Sequence, residues 1–210
     1  MSLARILWEE NIDLAQAALA HPFVQGLRAG TLPRPNFGRY IAQDAYFLDA
    51  FARAYALALA HSPDQQGLHD FFALLAGVQE ELRMHASYAA RWGVDLSNVT
   101  PAHATLAYTD FLLATAALRD VGQTCAAMTP CMRLYAFSGQ ALAAHSLNDE
   151  HPYKEWIDTY ASEDFAALTE RLENLLDRYA HNTPAIHNAY RRAMTLELAF
   201  FEAQSQDLML

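Results

Sequence analysis

Apolar residues recur at i, i+3, i+4 and i+7 along almost the whole chain, and no stretch alternates apolar with polar as a half-buried strand would. A period near 3.6 lines up one face of a helix, whereas a strand needs a period of 2. A chain patterned this way can bury its apolar stripes only by packing helix against helix, so the expected fold class is all-α. Its 210 residues, 53% of them hydrophobic, are enough to close around a sizeable core. No linker, repeat or low-complexity tract interrupts them, so residues 1–210 read as a single domain.

Helix starts and stops divide the pattern into about seven or eight helices. Ser2 can cap a first helix running to about Ala20, and a short turn of helix follows His21-Pro22. The two prolines between Thr31 and Pro35 mark a break before a long helix from about Asn36 to Ala60. Ser62-Pro63 opens the next helix, which ends near Trp92 with Gly93 as its stop. Thr100-Pro101 opens one ending near Gly122, and Thr129-Pro130 opens one ending near His145. After a polar loop from Asn148 to Pro152 come a short helix near 153–160, one from about Ser162 to His181, and a last one from Thr183-Pro184.

Charge and cysteine usage narrow the function classes. The formal net charge is −10 and Lys154 is the only lysine, a balance that repels phosphate backbones and argues against nucleic acid as a partner. No apolar run is long enough for a membrane span, and the acidic start MSLARILWEENID is unlike a signal peptide. Cys125 and Cys131 make no disulfide framework, and their spacing on one helix is too wide to bridge. Free thiols in a reducing cytoplasm are expected.

Three residues stand out as candidate chemistry. If Thr129-Pro130 starts a helix, Cys131 lies in its first turn, where the helix dipole favours the nucleophilic thiolate. Asp44 falls inside the apolar stripe formed by Tyr40, Ile41, Phe47, Leu48, Phe51 and Tyr55. An inward carboxylate is costly unless something binds it. Asp49 and Arg53 pair elsewhere on that helix at i, i+4. Glu197 is the polar member of the row Tyr190, Met194, Glu197, Phe201, whereas Glu202 shares a solvated face with Arg191 and Thr195. A cysteine with two inward carboxylates provides a nucleophile with acid–base helpers. Phe47, Tyr108, Tyr135 and Tyr160 supply aromatic faces able to stack on a flat ring. A competing constellation is Glu81 with His85 and Asp177 with His181, each at i, i+4. Di-iron bundles use Glu-x-x-His at i, i+3 and further bridging carboxylates, so the spacing argues against a metal site.

Taken in order, five motifs resemble the TenA family, the thiaminase II enzymes of thiamin salvage, in the branch with an active-site cysteine. They are Gln43-Asp44 with Phe47; Ala107-Tyr108-Thr109-Asp110; Met128-Thr129-Pro130-Cys131 with Tyr135; His151-Pro152-Tyr153 through Tyr160; and Glu197-x-x-Phe200-Phe201. Where this chain has Phe200-Phe201 the family often has Phe-Trp. The resemblance implies a haem-oxygenase-like multi-helix bundle, a homotetramer, and no metal or organic cofactor. It implies hydrolysis of 4-amino-5-aminomethyl-2-methylpyrimidine to the hydroxymethyl pyrimidine plus ammonia, with thiamin cleavage as a related activity. In that role Cys131 adds to the ring, Asp44 binds the ring nitrogen and amino edge, and Glu197 handles the proton of the leaving group and of water. Phe47, Tyr108, Tyr135, Tyr160 and Phe200 would line and stack the ring. Two alternatives remain: a non-catalytic binder of thiamin-pathway pyrimidines, and a di-iron or redox enzyme on the same fold.

Overall fold

The computed structural model describes residues 1–144 and 148–205, and all its regular structure is helical. Among the described residues there are ten helices: α1 (Leu3–Glu10), α2 (Ile12–Ala20), α3 (Pro22–Ala29), α4 (Arg34–Ala60), α5 (Gln65–Trp92), α6 (His103–Leu118), α7 (Val121–Ala143), α8 (Lys154–Ala161), α9 (Glu163–Tyr179) and α10 (Pro184–Ser205). None is long and apolar enough to cross a membrane. The helix end expected at His145 falls outside the described residues.

The all-α expectation holds, and its departures have local causes. The expected first helix is two helices. Asn11 ends α1 by donating from Nδ2 to the Leu7 carbonyl at 2.8 Å, and its Oδ1 accepts from Arg191. Ser2 caps α1 by accepting the Arg5 amide, and Gly93 ends α5 in the left-handed region at φ 68°. Two Ser/Thr-Pro pairs lie just ahead of their helices: Asp64, not Ser62, caps α5, and α6 begins at His103.

Thr129-Pro130 does not start a helix at all. α7 begins nine residues earlier, at Val121, where Asp120 accepts the Gln123 amide as the true cap. Pro130 lies in the helix interior and has no N–H to offer the Ala126 carbonyl. Thr129 Oγ1 donates to the Cys125 carbonyl at 2.7 Å instead of capping. Cys125 and Cys131 therefore share one uninterrupted helix, and both are free and buried.

α7 is the central helix. It packs against α8, α9 and α10, and buried residues appear on every side of it, from Cys125 through Leu134 to Leu142. α4 packs along α5 and α6 and closes the core from the other side. Two glycines set how closely α7 is approached. A Cβ on Gly139 would come within 2.5 Å of the Tyr160 carbonyl carbon, and one on Gly122 within 2.6 Å of the Tyr179 carbonyl oxygen. Backbone cannot give way as a side-chain tip can, so Gly139→Ala is expected to cost about 1–3 kcal/mol, the usual range for overpacking. A thermal melt should show a clear fall in Tm. An unchanged Tm would mean that α8 can slide on α7, and that the position of Tyr160 is not fixed by this contact.

Candidate functional site

Six helices each send side chains to one buried centre: Tyr40, Asp44 and Phe47 from α4; Glu81 and His85 from α5; Tyr108 from α6; Cys131 and Tyr135 from α7; Trp156 and Tyr160 from α8; and Glu197 and Phe200 from α10. All the residues singled out in the sequence, Cys131, Asp44, Glu197 and the five aromatics, are among them. Glu202 stays at the surface, bonded to His21.

The polar groups bond to one another. Tyr108 donates to Glu197 Oε1 at 2.7 Å, and Cys131 lies near enough to the Glu197 carboxyl group for the two to shift each other's proton affinity. Asp44 Oδ2 accepts from Tyr40 at 3.1 Å and lies 2.7 Å from His85 Nε2. Among the described residues both bonds fall on Oδ2, which leaves Oδ1 for a ligand. His85 Nδ1 lies 3.0 Å from the Glu81 carbonyl, and the Glu81 side chain accepts from Tyr160 at 2.5 Å. Trp156 donates to the Tyr40 hydroxyl, which in turn reaches Tyr135 at 3.4 Å.

The aromatics form two walls. Phe47 lies 4.8 Å from Tyr108 and 6.1 Å from Phe200, centroid to centroid. Tyr135 lies 4.8 Å from Tyr160. Tyr40 joins the walls, with its ring against Phe200 and its hydroxyl against Tyr135. A surface groove of about 510 Å³ between α5, α8 and α9 has Glu81, Met132 and Phe165 in its lining, but not Cys131, Asp44 or Glu197. Tyr160 stands between groove and centre, bonded to Glu81 on one side and packed on Tyr135 on the other.

Burial decides the protonation states. It pushes Glu197 up to about 8, opposed by the hydrogen bond from Tyr108 and by nearby Cys131. It raises Glu81 to about 7. Burial, with Glu197, Glu81 and Asp44 nearby, lifts the Cys131 thiol well above its ordinary range. This reverses the first-turn argument: Cys131 lies ten residues inside α7, beyond the reach of the N-terminal dipole, and rests as a neutral thiol.

Sequence reasoning missed Tyr40, Trp156, Glu81 and His85 as members of this centre. The last two were visible only as an i, i+4 pair suggesting metal. In the structure that pair is divided between Asp44 and Tyr160. Asp177 accepts the Ala4 amide at the start of α1, and His181 is exposed. Among the described residues no group of three or more His, Cys, Asp or Glu side chains could hold a metal ion.

A model of the TENA/THI-4/PQQC family matches residues 8–207. The chain belongs to that family. This TENA/THI-4/PQQC protein is 33% identical over 213 residues to the aminopyrimidine aminohydrolase of Halalkalibacterium halodurans, covering 99% of this chain and 95% of that one. It is 40% identical over 209 residues to the bifunctional TH2 protein, mitochondrial, of Arabidopsis thaliana, covering 87% of this chain but only 34% of that protein. Its structure superposes on a TenA family transcription regulator from Silicibacter with a TM-score of 0.88 at 28% identity, over 95% of both chains. Heme oxygenase-1 of Synechocystis shares the fold, with a TM-score of 0.67 at 18% identity over 100% of this chain and 95% of that one. The helical bundle is therefore haem-oxygenase-like.

Glu197, Glu81 and His85 all hold protons more tightly in the folded chain than in the unfolded one. The folded state then binds more protons, and stability must fall as pH rises. Glu197 contributes to that fall from its ordinary 4.5 up to about 8. Tm is expected to decline steadily between about pH 5 and pH 9, and Glu197→Gln should flatten the decline below about pH 8. A wild-type Tm that rose across this interval would contradict the buried, proton-holding assignment.

Proposed function

We propose that the chain hydrolyses aminopyrimidines of thiamin salvage, taking 4-amino-5-aminomethyl-2-methylpyrimidine to its hydroxymethyl counterpart plus ammonia, with thiamin cleavage as a related activity. The observation that carries this reading is the gathering of the Cys131 thiol, the Tyr108-bonded Glu197 and Asp44 in one buried centre. The likeness to the Halalkalibacterium aminopyrimidine aminohydrolase over nearly its full length supports the substrate class.

The ring is held between the walls of Phe47, Tyr108 and Phe200 and of Tyr135 and Tyr160. Asp44 Oδ1 accepts from its amino edge and its protonated ring nitrogen. That proton makes the ring electrophilic, and the fixed carboxylate stabilises it. As the sulfur of Cys131 forms a bond to ring carbon, the thiol proton passes to ionised Glu197 and the ring π pair neutralises the ring nitrogen. The ring electrons then expel the exocyclic amine, which takes the proton from Glu197 and leaves as ammonia. Water adds to the exocyclic carbon and gives a proton to Glu197. Finally the carbon–sulfur bond breaks, the ring regains aromaticity, and the sulfur recovers its proton. A group with a pKa of about 8 has both forms available near neutrality, as each of these transfers requires.

The resemblance that suggests this chemistry also suggests a homotetramer, built from one helical domain over residues 1–210. On α6, Leu118 is 78% exposed and Leu106 38%, separate apolar side chains available to a second copy. Two free, buried cysteines suit a reducing compartment such as the cytoplasm.

Cys131→Ser is expected to abolish ammonia release while pyrimidine binding, read by calorimetry, survives. Cys125→Ser should stay near wild type. Retained turnover in Cys131→Ser would remove the nucleophile from this mechanism. Glu197→Gln should slow turnover by about 10²–10⁴ with little change in binding, the usual range for acid–base catalysis. Glu202→Gln, at the surface, is the control. If the Glu202 change cripples turnover and the Glu197 change is silent, the proton carrier is the wrong glutamate.

A further inference from the structure

His85 is fully buried on α5 and meets an acceptor at each ring nitrogen: the Glu81 carbonyl at Nδ1 and Asp44 Oδ2 at Nε2. A backbone carbonyl can only accept, so Nδ1 carries a proton. Nε2 faces a carboxylate oxygen at 2.7 Å that already accepts from Tyr40. An imidazole that donates from both nitrogens is an imidazolium. The aminopyrimidine mechanism uses Asp44 directly and leaves His85 without a role.

We infer that His85 sets what Asp44 can recognise: as a buried imidazolium it keeps Asp44 an anion, whose free Oδ1 accepts hydrogen bonds and cannot donate them. The pocket then selects ring edges that present N–H donors, an amino group beside a protonatable ring nitrogen, over the isosteric ring with an oxo group in place of the amine. This inference rests on the aminopyrimidine reading and names the feature of the ring that the site tests.

The surroundings of His85 support the charge. Asp44 and Tyr40 face it from α4, and Glu81 and Tyr88 flank it on α5, with the Tyr88 ring edge-on at 6.3 Å. Tyr160 reaches Glu81 from α8. None of these groups is a cation. Burial alone would lower the imidazole pKa, but the hydrogen bond and charge of Asp44, aided by Glu81, outweigh it and lift His85 to about 9. Without that countercharge, the acceptor-only character of the Asp44 edge is no longer enforced, and a ring that presents a carbonyl oxygen is no longer excluded. His85 is thus a positioning residue that acts through Asp44 and need not touch the ligand.

The test is a ratio. Binding of 4-amino-5-hydroxymethyl-2-methylpyrimidine and of its 4-oxo isostere is measured by calorimetry on wild type and on His85→Gln, whose amide keeps the polar fit but not the charge. Wild type should prefer the amino ring by about 100-fold or more, since a site built around a hydrogen bond rejects the mismatched isostere strongly. In His85→Gln that preference should shrink by about 10-fold or more, with the oxo ring gaining affinity as the amino ring loses it. A purely structural role would weaken both rings together and leave the ratio unchanged, which would overturn the inference. Should His85→Gln fail to fold, the ¹⁵N shifts of His85 in wild type decide: an imidazolium near neutral pH supports the inference, and a neutral tautomer overturns it. Failure of wild type to bind the amino ring at all would overturn the aminopyrimidine reading and the selection with it, a result distinct from an unchanged ratio.

Discussion

The ion pair between Asp44 and His85 joins α4 to α5 at the level where every other polar side chain of the centre converges. Both partners are nearly inaccessible to solvent. Removing two charges from water costs several kcal/mol per ion, and such a pair rarely adds stability over well-packed apolar residues. Its persistence in a core otherwise lined by aromatics is the signature of a site that gives up stability for function. The rest of the arrangement keeps the cost bearable. Tyr40 donates to the carboxylate, the Glu81 carbonyl accepts from the imidazolium, and Trp156 donates to Tyr40. Each hydrogen bond satisfies a group that would be expensive to leave unpaired. Breaking one half of the pair strands the other, so Asp44 is not a spare charge carried for the ligand, as its place in an apolar stripe first suggests.

The helices were legible because burial imposes a period, and the period is a property of each segment alone. α4, α5, α9 and α10 can be read from it within a few residues. The same local logic marked Asp44 and Glu197, each a lone carboxylate in an apolar row. It could not show their partners. The neighbour of Asp44 is 41 residues away on α5, and that of Glu197 is Tyr108 on α6, 89 residues away. Glu81 and His85 appeared paired because i, i+4 spacing is visible in sequence. Their real partners come from α8 and α4, which only packing brings near. Tyr40 reads as one more stripe residue because its links to Tyr135 and Trp156 are long-range, although its bond to Asp44 spans only i, i+4.

Thr129-Pro130 misled for a different reason. A Ser/Thr-Pro pair satisfies the chemistry of a helix start, but so does Asp120 nine residues upstream, with the helix formers Ala126, Ala127 and Met128 leading into Thr129. A proline in a helix interior costs roughly 3 kcal/mol, so sequence logic prefers to end the helix there. In α7 that cost is met where both faces of the helix are buried and tertiary packing outweighs propensity. Cys131 does lie in the buried centre, but the dipole argument that singles it out does not hold in the structure.

If Cys131 is the nucleophile of the proposed reaction, the misplaced dipole changes how its thiol is activated. In the resting centre the thiol is neutral, Glu197 is mostly protonated near neutrality, and the charge of Asp44 is balanced by His85. Nothing there supplies the positive field that makes a reactive thiolate in other settings. On the aminopyrimidine reading, the missing positive charge arrives with the ligand as the protonated ring. A cation beside Cys131 and Glu197 lowers the cost of ionising both, since each owes part of its high pKa to neighbouring carboxylates. The nucleophile then becomes competent only when the ring that it attacks is in place. A buried, protonated sulfur is at the same time a poor target for oxidants, which react with exposed thiolates. Substrate protonation, thiol ionisation and the proton affinity of Glu197 are in this sense one coupled equilibrium, set in the empty site by the fixed Asp44–His85 pair.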